Sequence, residues 1–192
     1  MLVGLTGSFG SGKSTVLNCF EKLGANIVNS DESVRQIYEN DQGFLSAIRG
    51  HFGASVFDGE GKVDRKALGG RVFSDSEALM WLESRLHPLV KAHRQKMVSQ
   101  DPNAFWIVEI PLLFEKNLDK DMDHSISVVA SYSLRVARLK NRGFSPEEVE
   151  KRSRLQLPQT QKISRADFVI SNDGTFEFLL RQVKLLFEQL SI

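Results

Sequence analysis

The chain has 192 residues, of which 41% are hydrophobic and 26% charged, and its formal net charge is +1. These values are ordinary for a globular protein with one substantial core, and they exclude a whole-chain electrostatic attraction to nucleic acid or membranes. The single cysteine, Cys19, excludes an internal disulfide and a cysteine-based zinc cluster, and no apolar run approaches the roughly 18 residues of a membrane span, so we expect a cytoplasmic protein.

A glycine-rich loop follows the first predicted strand, at residues 2–5. The segment from Gly7 to Ser14 reads GSFGSGKS and matches the phosphate-binding pattern G-x-x-x-x-G-K-[ST] at every fixed position. Apolar residues then recur at helical spacing up to Gly24, so strand, loop and helix follow in the order that the motif needs.

In such a loop, backbone N–H groups and the start of the helix hold phosphate oxygens. Lys13 reaches the outer phosphates, and the Ser14 hydroxyl binds Mg²⁺. Thr15 either touches the nucleotide or is simply a residue of the first helical turn. The predicted nucleotide-binding residues of the loop are Ser8, Phe9, Gly10, Ser11, Gly12, Lys13, Ser14 and Thr15.

The next part of the chain predicts one strand and then mostly helices. The strand covers residues 25–28, and Asp31 lies just after it. Helices are predicted over residues 32–39, 42–52 and 65–72, with a turn at residues 57–62. A long helix capped by Ser74 or Asp75 follows, and Pro88 predicts a kink or a break in it near His87. Its apolar stripe is Leu79, Leu82, Leu86, Val90, His93 and Met97.

Strands and helices alternate in the second half of the chain. Strands are predicted over residues 105–110, 125–129 and 168–170, and helices over residues 133–142, 146–157 and from residue 176. Short apolar strands that alternate with helices indicate a parallel sheet covered on both faces. We therefore predict an α/β fold of three layers around a five-stranded parallel sheet.

Ligands of such sheets bind at the carboxyl ends of the strands. The phosphate loop, Asp31 and Glu109 all follow strand ends, as does a basic segment at residues 135–165, which has nine Lys or Arg against three Glu and a net charge of +6. We expect these groups to converge at one edge of the sheet.

Phosphate binding alone does not distinguish a switch, a motor and a kinase. The sequence lacks an Asn-Lys pair and hence the Asn-Lys-x-Asp segment of guanine-specific switches, and it lacks segments typical of motor ATPases. A small-molecule kinase needs an acceptor pocket, a group that orients the acceptor hydroxyl, and positive charge over the transferring phosphoryl group. The helical region, Asp31 and the basic segment can supply these, the last as a lid that excludes water.

Further blocks of sequence carry a more specific resemblance. They are Gly-Leu-Thr-Gly at residues 4–7, Asn29-Ser30-Asp31 with Arg35, Asp64-Arg65-Lys66-Ala67-Leu68, His87-Pro88, Pro111-Leu112-Leu113-Phe114-Glu115, and the series Arg138, Arg142, Arg152, Gln156, Lys162, Asp167 and Asn172. Together they resemble the dephospho-CoA kinase family over nearly the whole chain. The resemblance implies transfer of the γ-phosphoryl group of Mg²⁺-ATP to the ribose 3′-hydroxyl of dephospho-CoA, which yields CoA and ADP at the last step of CoA synthesis.

The resemblance also implies the P-loop fold of nucleoside-monophosphate kinases, in three parts. The nucleotide-binding core comprises residues 1–31, 105–137 and 166–192. Residues 32–104 form a mainly helical acceptor domain whose last helix packs on the core, and residues 138–165 form the lid.

Catalytic roles follow from the resemblance for three polar residues besides Lys13. Asp31 orients the acceptor hydroxyl or accepts its proton, or else caps a helix that begins at Glu32. Asn29 stands where the family usually has Asp, and because a neutral amide cannot act as a base, this work falls to Asp31. Arg138 and Arg142 lie four residues apart on one helix face and neutralise charge on the phosphates, or belong to a solvated face.

Binding roles follow for further residues. Asn172 contacts the adenine or forms a turn with Asp173, and Glu109 holds a metal-bound water or merely ends a buried strand. Arg135 replaces a Gln that is common in the family, so we expect different contacts there. The predicted acceptor-binding residues are Asp31, Arg35, His87, Pro88, Leu112 and Leu113, with a structural hinge as the alternative role of His87 and Pro88.

Two other functions stay open. One is another small-metabolite or nucleotide kinase of the same fold, and the other is a nucleic-acid-associated P-loop ATPase that binds RNA or DNA through residues 135–165. Phe144 is the only aromatic residue in that segment, which argues against base stacking. We therefore expect a small-molecule acceptor, no nucleic acid and no membrane partner, and a monomer, with an oligomer as the alternative.

Overall fold

The computed structural model describes residues 1–191. Its strands are β1 (Leu2–Gly7), β2 (Asn26–Asn29), β3 (Trp106–Glu109), β4 (His124–Val129) and β5 (Phe168–Ser171). Its helices are α1 (Lys13–Lys22), α2 (Ser30–Asn40), α3 (Gln42–Phe52), α4 (Arg65–Val72), α5 (Ser76–Val98), α6 (Tyr132–Asn141), α7 (Pro146–Arg154), α8 (Gln159–Arg165) and α9 (Phe176–Leu190). The chain divides into two compact units, one of residues 30–101 and the other of residues 1–29 with the chain from residue 102 onward.

The larger unit is built on a five-stranded sheet in the order β2-β3-β1-β4-β5, and all neighbouring strands are parallel. One face carries the main apolar core, in which Leu5 and Ile126 of adjacent strands pack with Phe20 of α1 and Val183 of α9. Successive side chains of a strand point to opposite faces. Thr6, which contacts Lys162 of α8, therefore lies on the other face, and helices cover both faces. The predicted three-layer α/β fold is confirmed.

The smaller unit is helical and has its own core. Residues from α2, α3, α4 and α5 form this core, among them Ile37, Ile48, Leu68 and Leu82. Aspartate side chains cap three of its helices: Asp41 caps α3, Asp64 caps α4 and Asp75 caps α5. Each accepts backbone N–H groups of the first turn, which stabilises a helix start by about 1 kcal/mol.

Helix α5 runs from Ser76 to Val98 without a break at Pro88. The predicted break does not occur, because proline removes a single N–H group, and packing on α2 and α4 holds the turns on both sides. Elsewhere a proline does lie between two helices. The single helix predicted over residues 146–157 ends at Arg154, and Pro158 then precedes a separate helix α8.

Among residues 1–191, no helix combines the length and the apolar character that crossing a bilayer requires.

Candidate active site

The phosphate loop joins β1 to α1, and its last glycine lies in a conformation that few other residues adopt. Gly12 has φ 89° and ψ 31° at the start of α1. A Cβ atom on Gly12 would lie 2.1 Å from Nδ2 of Asn172, so the loop and the end of β5 touch without room for a side chain. Within the described chain no side chain caps α1, so the N-terminal end of the helix is open to an anion.

The carbonyl groups of the loop are held by other groups of the protein. In a trans peptide the N–H group points opposite to the C=O group of the preceding residue. Holding a carbonyl therefore sets the direction of the N–H group that follows it, and N–H groups that converge form an anion-binding nest. The contacts are Gly7 O with Lys13 Nζ at 3.2 Å, Ser8 O with Ser11 N at 3.1 Å, Phe9 O with Arg135 Nη1 at 3.3 Å, and Ser11 O with Asn172 Nδ2 at 2.8 Å.

The side chains of Asn172 and Arg138 stabilise the loop by hydrogen bonds from outside it. Asn172 is 7% exposed, and its amide donates to the Ser11 carbonyl instead of pointing to solvent. Nη2 of Arg138 donates to the backbone carbonyl of Asn172 at 2.9 Å. Helix α6 ends at Asn141, so Arg142 is an exposed residue just beyond the helix that carries Arg138. Arg138 is thus at the loop, and Arg142 is at the beginning of the next connection.

Asp173, the residue after Asn172, makes a long-range hydrogen bond. Oδ1 of Asp173 accepts the backbone N–H of Ser131 at 2.7 Å. This hydrogen bond lowers the pKa of Asp173. It ties the end of β5 to the start of α6, which positions Arg138 beside the loop.

Glu109 and Asn29 lie opposite each other at the carboxyl ends of β3 and β2. Nδ2 of Asn29 donates to Oε2 of Glu109 at 3.3 Å, and Glu109 is 8% exposed. A carboxylate at a strand end and the Ser14 hydroxyl in the first turn of α1 are oxygen donors of the kind that Mg²⁺ takes beside phosphates and water. Among the described residues no group of three or more His, Cys, Asp or Glu forms a protein-only metal site.

Lys162 was predicted to add to the charge of the lid, but its side chain is 0% exposed. Its Nζ lies 2.8 Å from Oε1 of Glu115, donates to the Pro111 carbonyl at 2.8 Å and contacts Oγ1 of Thr6 at 3.4 Å. Burial lowers the pKa of Lys162, and Glu115 opposes that shift. One of the nine cations of residues 135–165 is therefore neutralised in the core.

This buried ion pair also binds the chain between α7 and α8. Oε1 of Glu115 accepts the backbone N–H of Leu157 at 2.8 Å. Glu115 and Lys162 both belong to the sequence blocks that carry the family resemblance. Those blocks do not indicate that the two residues pair. Their separation along the chain hides the contact.

Two of the predicted acceptor-binding residues lie at the start of α2 in the smaller unit. Because α2 begins at Ser30, Asp31 lies in the first turn of the helix and not at the cap position before it. Nη2 of Arg35 pairs with Oε1 of Glu32 at 2.7 Å on the exposed surface, and this contact lowers the pKa of Glu32.

The remaining predicted acceptor-binding residues differ in exposure. His87 and Pro88 are exposed in the middle of α5. Leu112 is half-buried, whereas Leu113 is 0% exposed and its Cδ2 lies 3.0 Å from the position of a Cβ on Gly4. In this conformation the Leu113 side chain packs in the core and has no surface for a substrate.

Comparison with known proteins adds independent findings. The family model described as dephospho-CoA kinase matches residues 1–177. The dephospho-CoA kinase of Aquifex aeolicus (strain VF5) is 36% identical over 190 residues, which are 98% of this chain and 97% of that protein. The dephospho-CoA kinase of Escherichia coli (strain K12) is 36% identical over 188 residues, which are 96% of this chain and 90% of that protein.

Solved structures agree with this likeness. The structure of TT1252 from Thermus thermophilus matches with a TM-score of 0.86 and 36% identity, covering 99% of this chain and 97% of that chain. Shikimate kinase from Aquifex aeolicus matches with a TM-score of 0.55 at 15% identity and covers the whole of both chains, which shows a shared fold alone.

Proposed function

The chain belongs to the dephospho-CoA kinase family, and from this premise we propose how its residues transfer the γ-phosphoryl group of ATP to the 3′-hydroxyl of dephospho-CoA. The observation that carries the function is the family match across residues 1–177, which includes the phosphate loop and the site residues up to Asn172. The ordered loop supports it, since side chains of Lys13, Arg135 and Asn172 hold three of its carbonyls in place.

On the donor side, the loop residues from Ser8 to Thr15 bind the phosphates through those backbone N–H groups that no other residue already holds, and Lys13 follows the outer phosphate through the transfer. Ser14 would hold Mg²⁺ with its hydroxyl and Glu109 would hold it through water, and the ion would neutralise charge on the phosphate oxygens. Support for the Glu109 role is its position at a strand end beside the loop strand β1.

Arg138 and Arg142 supply positive charge to the transferring group. The position of Arg138 supports this role, because its Nη1 lies 3.5 Å from the carbonyl oxygen of Ser11. Arg142, exposed after α6, belongs to the proposed lid of residues 138–165. Guanidinium groups suit this work because their planar N–H donors match phosphate oxygens. Asn172 borders the adenine site while its amide holds the loop.

On the acceptor side, Asp31 orients the ribose hydroxyl and receives its proton as the 3′-oxygen attacks in line. Arg35 binds acceptor phosphates after leaving Glu32, and His87, Pro88 and Leu112 complete the acceptor site. Residues 32–104 form the acceptor domain, and residues 1–31, 105–137 and 166–192 the core. The proposed partner is dephospho-CoA alone, for a cytoplasmic monomer without nucleic-acid binding.

The test is conversion of dephospho-CoA to CoA by the purified protein with Mg²⁺-ATP, followed by chromatography of the products. Shikimate and nucleoside monophosphates serve as competing acceptors, because shikimate kinase shares the fold. We expect ATP-dependent CoA formation that the Lys13→Ala variant loses. Phosphorylation of another acceptor without any CoA would reject the proposed substrate, and retained EDTA-resistant activity would reject the Mg²⁺ requirement.

A further inference from the structure

Phe9, at the tip of the phosphate loop, is held through both of its backbone polar groups by side chains far away in sequence. Its N–H donates to Oε1 of Gln156 at 2.8 Å, and its C=O accepts from Nη1 of Arg135 at 3.3 Å. Gln156 belongs to the short connection between α7 and α8, and Arg135 belongs to α6. Two separate segments of the chain therefore hydrogen-bond to the tip of the loop.

The two hydrogen bonds orient two successive peptide planes. The C=O of Phe9 and the N–H of Gly10 belong to one planar group and point in opposite directions. Arg135 therefore determines where the Gly10 N–H points. The preceding plane is held at both ends, because the Ser8 carbonyl accepts from Ser11 N at 3.1 Å while the Phe9 N–H is bound to Gln156.

Gly10 needs this restraint because it is a glycine. It has φ 82°, and a residue without Cβ exchanges readily between positive and negative φ. A Cβ on Gly10 would lie 2.8 Å from Cδ1 of Leu139, so α6 leaves no room for a stiffer residue. The loop tip must obtain its rigidity from outside.

The Phe9 side chain is anchored to the same region as its backbone. Its ring packs edge-to-face on Phe144 with centroids 5.2 Å apart. The guanidinium of Arg152 lies 5.2 Å from the Phe9 ring and 4.9 Å from the Phe144 ring. These contacts hold the segment around α7 against the loop tip, so that Gln156 and Phe9 stay adjacent.

Burying the Arg135 guanidinium costs desolvation free energy, which a purely structural contact would not require. Burial lowers its pKa, and its Nε is buried with no hydrogen-bond partner among the described residues. A neutral, apolar side chain would avoid this desolvation cost. What the arginine provides is a donor to the Phe9 carbonyl, beside the ring of Tyr132 at 5.5 Å.

We propose that Gln156 and Arg135 are positioning residues for phosphoryl transfer, which clamp the peptide groups of Phe9 and so aim the Gly10 N–H into the phosphate site. The proposal rests on the proposed kinase function. Neither residue needs to touch the substrate, because each acts through the loop backbone. The donor N–H is thereby oriented before ATP binds, which removes a reorganisation cost from the transfer step.

The test compares Gln156→Met and Arg135→Met, which remove one hydrogen bond each, with Arg135→Lys, which keeps a donor. Gln189→Met on the exposed surface of α9 is the matched control. We expect kcat to fall about 10- to 100-fold in both hydrogen-bond-deleting variants, with an unchanged KM for dephospho-CoA, because a small misplacement of a donor costs this much in rate. Arg135→Lys restores most of the rate, and Gln189→Met equals wild type.

Two further readouts separate positioning from a loss of structure. Amide hydrogen exchange at Phe9 speeds up in Gln156→Met while the melting temperature stays near that of wild type. The double variant loses less than the product of the two single losses, since both act on one residue. A kcat within about twofold of wild type in both Met variants, or a loss that Arg135→Lys does not repair, overturns the proposal. If the wild type makes no CoA, the kinase function fails, while Phe9 exchange in Gln156→Met still accepts or rejects the clamp.

Discussion

Replacing Lys162 with methionine should destabilise the protein more than any exposed lysine substitution. Lys162 is 0% exposed and Glu115 is 13% exposed, so the pair is held almost entirely away from water. Methionine fills a similar volume but removes the ammonium group, so that the Glu115 carboxylate keeps only the Leu157 N–H as a donor and the Pro111 carbonyl only the Thr6 hydroxyl. Removing one partner of a buried ion pair costs about 3–5 kcal/mol. For a chain of this length, the melting temperature then falls by about 10 °C.

Thermal and urea unfolding followed by circular dichroism measure this loss. Lys184→Met, on the exposed side of α9, is the control, and we expect it to change stability by less than about 0.5 kcal/mol. The double variant Lys162→Met/Glu115→Gln should be more stable than Lys162→Met alone, because it removes the unpaired buried charge.

A Lys162→Met variant as stable as wild type would refute the reasoning. So would a double variant less stable than the single one, since the cost would then not come from the unpaired carboxylate.

Three other predictions concern catalysis and pH. Asp31→Asn should lower kcat by about 10²–10⁴-fold with normal unfolding, and full activity in a CoA-forming assay would remove Asp31 from proton transfer. Arg142→Ala should lower kcat more than it weakens ATP binding measured by calorimetry; the reverse result would make Arg142 a ground-state ligand only. Hydrogen bonds from Ser125 lower the pKa of Asp167, so its stabilisation is present above the ordinary aspartate pKa and is lost as the pH falls through the lowered value. Asp167→Asn should therefore be less stable than wild type at neutral pH, and the difference should vanish in acid; a difference that stays constant across this pH range would contradict that assignment.

Much of the fold could be predicted because its signals are local. The predicted bounds of the helices at residues 42–52 and 65–72 agree with α3 and α4, where an aspartate precedes each helix and marks its start. The phosphate loop is equally local, since its glycines, lysine and serine lie within eight residues. Helix α8 was not predicted. It has only seven residues and its buried side chain is a lysine, so its sequence shows no apolar periodicity.

The candidate site could be predicted only in part, because its residues are joined by contacts that span the chain. The sequence indicated Asn172 as a nucleotide contact, and it gave no sign that the Asn172 amide also binds the Ser11 carbonyl across 161 residues. Leu113 and Glu115 belong to one sequence block, yet one side chain packs in the core and the other pairs with Lys162. Composition and spacing do not distinguish these roles, because burial depends on what packs above each residue.

Local sequence patterns are enough to predict that a loop able to bind phosphate lies between a buried strand and a helix, in a parallel α/β sheet. Those properties follow from backbone preferences and apolar periods over a few residues. The residues that hold that loop become apparent only in the folded protein. Gln156 meets Phe9 across 147 residues and Arg135 meets it across 126, because the parallel sheet carries α6 and the α7–α8 connection to the edge where β1 ends. The direction of the loop N–H groups is thus a property of packing between distant segments, which no local pattern encodes.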